Sequence, residues 1–197
     1  KIGVRNGKSG QQVAGDMLRY YGINDVSVVM GQGFLSDHYN PSTKTVALSP
    51  DVFGGRSIAA AAVAAHECGH AVQHAKAYSM LQLRSKLVPV VQFSSNIQQF
   101  LFMGAMFGIG SAFGGTLMMI LVFTFGATAL FSLVTLPVEF DASNRALAWL
   151  DESGYMQGDE HDGAKDALWW AAMTYVSAAL GALVMFLYFL LRFMGSN

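Results

Sequence analysis

A single cysteine, Cys68, is all the thiol chemistry in the chain, which excludes an intrachain disulfide framework and a zinc site built from cysteines alone. One free thiol fits a reducing compartment. Charge is scarce as well. Asp, Glu, Lys and Arg make up 13% of the 197 residues, against about 25% in ordinary soluble domains. Apolar residues reach 53%, which excludes a disordered chain. The net charge is −1, so no basic field recruits nucleic acid, and none is expected as a partner.

What charge exists is unevenly placed. Residues 1–86 hold nine Lys/Arg and five Asp/Glu. Residues 87–138 form a run of 52 with no charged side chain. Residues 139–166 hold eight acids and two bases, and residues 167–191 are again free of charge. A membrane-spanning helix needs about 20 mostly apolar residues. The second uncharged run fits one span within 167–197, and the first fits a hairpin of two. The hairpin is expected at about Pro89–Gly110 and Thr116–Leu136, with Gly108, Gly110, Ser111, Gly114 and Gly115 at the turn. Gln92, Ser94, Ser95, Asn96, Gln98 and Gln99 make the first of these helices polar enough to stand partly above the bilayer or to face a wet cleft. The whole reads as a mostly helical α+β integral membrane protein with about three spans, its partner the lipid bilayer.

Residues 1–86 read as a small α+β unit. Ser9 and Gln12 form a capping box for a helix through Val13, Met17 and Tyr20 that stops at Gly22. Val26 to Met30 is strand-like. Phe34–Tyr39 and Lys44–Leu48 flank the turn sequence Asn40-Pro41-Ser42. Gly54-Gly55 breaks the chain, and Ser57 can cap an alanine-rich helix over about 57–75.

That helix contains His66-Glu67-Cys68-Gly69-His70, an H-E-x-x-H motif. Residues four apart share a helix face, so both imidazoles can bind one Zn²⁺ ion. Glu67, about 100° around the helix, can reach a water in the open metal position and act as general base. Two histidines and a glutamate in a closely packed alanine-rich helix are costly without a partner. A catalytic zinc site needs a third protein ligand. His74 lies about 12 Å along the helix from His66 and cannot share the metal. Cys68 projects away from the histidine face and reads as a packed residue. His161, among Asp159, Glu160 and Asp162, reads as a solvated loop residue. Glu139 directly follows the second uncharged helix. It is either the third ligand or an interfacial carboxylate paired with Arg145 or water.

The sequence resembles the YugP-type bacterial membrane zinc metallopeptidases and, more distantly, is similar to the HtpX and CAAX prenyl protease clan. The matching stretches are Ser36 to Pro41, Ala65 to Gln73, Leu83-Arg84-Ser85, Val88 to Val91, and Leu136 to Phe140 onward. The resemblance implies a zincin-like N-terminal unit, a gluzincin-type endopeptidase with one zinc ion per chain, and Glu139 as third ligand. It also implies a membrane helix ahead of Lys1. Where the distant clan carries a supporting aspartate, this chain has Ser143, four residues after Glu139 and able to offer a weaker hydrogen bond. Peptidases of this type bind substrate as an added strand on a sheet edge, a role open to Thr45, Val46 and Ala47 unless they form an ordinary hairpin strand. His38 and Tyr39 are candidate oxyanion donors, or structural residues. Arg145 is a candidate beside the site, or an ion-pair partner of nearby acids.

Two functions fit these residues. One is an endopeptidase acting on peptides or membrane-associated proteins. The other is an inactive membrane scaffold with a structural zinc site, docked in a membrane protein complex. The general base Glu67 favours the enzyme, since a structural site has no use for it. Lys76, Arg84, Lys86, Arg145 and Lys165 flank the spans on one side, and Arg192 stands alone on the other. This places the protein in the plasma membrane as a multi-pass chain with its active site on the cytoplasmic side.

Overall fold

The computed structural model describes residues 2–106 and 114–195. The chain is mostly helical, with one three-stranded sheet. It divides into two units, residues 1–78 with 138–172, and residues 79–137 with 173–197.

In the first unit, α1 spans Gly10–Tyr20. The Ser9 amide donates to Gln12 Oε1 (2.9 Å), one arm of the expected capping box. Gly22 ends the turn at φ 69°, a conformation glycine adopts without steric cost. Strands β1 (Ser27–Met30), β2 (His38–Asn40) and β3 (Thr45–Leu48) follow, then the short α2 (Pro50–Phe53). The alanine-rich helix is α3, Ile58–Ala75, and Ser57 Oγ accepts from the Ala60 amide (3.2 Å) as its cap. Alanines leave room for close approach, and α3 is buried on nearly every side. The core joins it to Met17, Leu48, Trp149, Leu150 and Met156.

The sheet corrects one expectation. Its order is β1-β3-β2, with β3 parallel to β1 and antiparallel to β2. Thr45, Val46 and Ala47 therefore lie in the central strand, with ladder bonds on both sides, and cannot accept an added strand. The hairpin turn was readable, but the return of β1 to the far side of β3 is a long-range pairing that no local pattern announces. Phe34 and Leu35, expected in a strand, lie exposed in the β1–β2 connection, with Leu35 at φ 54°.

The second unit contains α4 (Ser79–Met106) and the membrane-type parts of α5 (Gly114–Glu152) and α6 (Asp159–Met194). Helix α4 starts ten residues before the expected Pro89, which it carries in its interior. The expected turn at Gly108, Gly110 and Ser111 lies outside the described residues, whereas Gly114 and Gly115 open α5. Among the described residues two helices are long and apolar enough to cross a membrane, Gly115–Glu152 and Asp159–Met194. Phe125 stacks on Phe189 at 4.9 Å, and Gly126 lets the Phe186 ring lie against the α5 backbone. The hydroxyls of Thr128, Ser132 and Thr135 bond to carbonyls of their own helix. Each of these three hydroxyls thus has a partner without water. His161, read as a loop residue, is helical instead. Helix α5 runs on to Glu152, and Asp159, Glu160, His161 and Asp162 form the first turn of α6.

Candidate metal centre

Helix α3 presents His66 and His70 one turn apart, their rings edge-on with centroids 4.8 Å apart. Opposite them, α5 presents Glu139. Glu139 Oε2 lies 3.3 Å from His66 Nε2 and 3.6 Å from His70 Nε2. A ligand atom from each of the three residues lies within 4.8 Å of the others. Ligands about 2.1 Å from a common zinc ion at a tetrahedral angle stand about 3.4 Å apart. The two separations from Glu139, 3.3 and 3.6 Å, fit that figure, and the donor set of two imidazoles and a carboxylate suits the metal.

Gly69 makes this approach possible. A Cβ built there would lie 2.5 Å from the Ala142 carbonyl oxygen, so the backbones of α3 and α5 meet where only glycine fits. Glu139 and His70 are both buried, as is Glu67 beside them. Burial alone would favour a neutral His70 ring, but the Glu139 carboxylate at Nε2 and the charge of Glu67 outweigh it and raise its pKa above the ordinary value. Negative charge thus converges where a cation would sit.

The outer ring nitrogens are engaged as well. His66 Nδ1 lies 3.1 Å from Ser143 Oγ, the contact expected from its position one turn after Glu139. His70 Nδ1 lies 3.0 Å from Gln73 Oε1. Gln73 was not singled out in the sequence, although its i, i+3 spacing from His70 puts both on one face. Arg145 pairs with Asp141 (2.6 Å), the ion-pair role weighed for it above.

Other candidates lie elsewhere. Tyr39 directs its hydroxyl to His74 Nδ1 (2.8 Å), which gives His74 a partner of its own. His38 is exposed, with Nδ1 2.8 Å from the Ser36 carbonyl. Cys68 is fully buried and its thiol faces the Ala14 carbonyl (3.6 Å). Burial, aided by the charge of Glu67, raises its pKa, so it is a packing residue.

Comparison with known proteins agrees with this geometry. The family profile described as "Putative neutral zinc metallopeptidase" matches residues 1–194. The chain belongs to that family. It is also 41% identical over 197 residues to the "Putative membrane protease YugP" of Bacillus subtilis (strain 168), covering all of this chain and 86% of that protein. No solved structure matches the chain significantly. Family membership implies zinc, and the His66–His70–Glu139 cluster offers a place for it.

Proposed function

We propose that the protein is a membrane-embedded, zinc-dependent endopeptidase of the gluzincin type. The observation that carries this reading is the His66–His70–Glu139 cluster, His70 and Glu139 buried and His66 partly so, with Glu67 on the helix of the histidines. One zinc ion per chain would be held by His66 Nε2, His70 Nε2 and Glu139. When bound, zinc polarises water and the scissile carbonyl and lowers the pKa of water toward about 7. The Glu67 carboxylate takes the proton of the attacking water and delivers it to the leaving amine nitrogen. Ser143 and Gln73 hold the two histidine rings from behind.

Substrate would add as a strand to the sheet. With β3 in the centre, the edge moves to β2, whose outer side has no strand beside it among the described residues. His38, on that strand, remains the oxyanion candidate; Tyr39 serves His74 instead. The substrates are peptides or membrane-associated proteins. The chain is multi-pass in the plasma membrane with α4, α5 and α6 as its spans, and the metal site faces the cytoplasm.

Replacing Glu67 by Gln tests the chemistry. The variant is expected to keep its zinc and lose about 10²–10⁴-fold in peptidase activity. Activity at the wild-type rate would exclude Glu67 as the base.

A further inference from the structure

We propose that Gln73 is a positioning residue for the metal centre. Its side-chain amide fixes the tautomer and orientation of His70, and Asp141 and Arg145 fix the amide. The inference rests on the zinc reading of the His66–His70–Glu139 cluster.

Gln73 has no exposed surface, and a buried amide is costly unless its polar atoms are paired. They are paired in a way that allows one orientation. Nε2 donates to the Val138 carbonyl (2.8 Å) and to Asp141 Oδ2 (2.7 Å). Both groups only accept hydrogen bonds. Rotating the amide would set its own oxygen against two acceptors. The amide oxygen must therefore face His70, where it lies 3.0 Å from Nδ1. An oxygen that only accepts requires the proton to be on Nδ1. In the neutral ring this leaves the Nε2 lone pair free and aimed at the cluster, the tautomer a metal ligand needs.

Asp141 is held in turn. Arg145 donates to it from Nε (2.6 Å) and Nη2 (3.3 Å). The Arg145 guanidinium also lies 5.8 Å from the centre of the Tyr78 ring, and the Tyr78 amide donates to the Gln73 carbonyl (2.9 Å). The chain of contacts closes on the residue where it began.

His66 has no such device. Its Nδ1 partner, the Ser143 hydroxyl, can donate or accept and so dictates neither tautomer. The two zinc histidines are thus unequally prepared: His70 is preset, and His66 adapts. Gln73 should consequently matter more for metal binding than Ser143.

The test measures zinc affinity of the full chain in detergent micelles by competition with a chromophoric chelator. The visible spectrum of the cobalt-substituted protein reports ligand geometry, and far-UV circular dichroism reports folding. Gln73→Leu should weaken zinc about 10–100-fold, as loss of such outer partners typically does. The cobalt spectrum should change while the helical content stays the same. Ser143→Ala should cost less. A loss below about tenfold for folded Gln73→Leu would overturn the proposal. If Gln73→Leu does not fold, Asp141→Ala on the partly exposed face of α5 decides. Zinc affinity below wild type supports the relay, and wild-type affinity overturns it. Wild-type protein that binds no zinc would instead sink the metal-site reading itself.

Discussion

Gly69 occupies one of the two positions that H-E-x-x-H leaves open, yet the fold leaves it no choice. With a Cβ 2.5 Å from the Ala142 oxygen, Gly69→Ala must push α3 and α5 apart and carry Glu139 away from the histidines. Overpacking of this kind costs about 1–3 kcal/mol or more. Gly69→Ala is expected to lower the thermal midpoint and to bind zinc more weakly than wild type; unchanged values of both would contradict the contact. At this scale the sequence was informative where chemistry is local. One helical turn brings His66 and His70 together, and that turn is written in the motif. For Glu139 the cost of a carboxylate beside an apolar helix left two roles open, and only the family resemblance pointed to the third ligand. Gln73 stood on the right face, but its other partners, Val138 and Asp141, come from α5, and no spacing within α3 points to them. Cys68 was readable as a packed residue. Its thiol is expected to resist labelling in the native protein and to react fully in denaturant, which absorbance of a chromogenic thiol reagent measures.

Among the elements, helices were more legible than strands. Alanine runs, caps and uncharged stretches are local signals, and α1 and α3 lie where Ser9 and Ser57 place them. The ends of the long helices were not visible. Helix α5 continues through Pro137 to Glu152, although proline cannot donate to the carbonyl one turn back. That continuation carries Glu139 on α5, one turn before Ser143, the helical spacing read from the sequence. One of the chain's three crossings between the two units falls directly after this proline. Strand order was the element-level failure. β1 and β3 pair in parallel across the intervening β2, and long-range pairing leaves no trace in either strand's own alternation. As a result β3 is internal, and among the described residues the sheet's edges are β1 and β2, the latter carrying His38.

For the molecule as a whole, most of the exposed large apolar side chains among the described residues belong to the second unit. Phe123, Leu130, Leu133, Val184, Leu187 and Leu191 are exposed on α5 and α6, and grouped exposed apolar side chains mark contact or membrane surfaces. The apolar helices and the membrane-protease relative support a bilayer as the solvent for these faces. Topology can be read with one engineered thiol, since Cys68 is buried and supplies little background. A cysteine placed at Asp162 is expected to stay unlabelled by a membrane-impermeant reagent in intact cells and to react after lysis. Labelling in intact cells would put the metal site outside.

The central claim is that three residues from two helices hold one zinc ion. Metal analysis of the purified protein tests it most directly. Wild-type and His74→Ala protein should each carry about one zinc per chain, while His66→Ala and Glu139→Ala should carry almost none. Full zinc occupancy in Glu139→Ala, or equal loss in His74→Ala, would contradict the account.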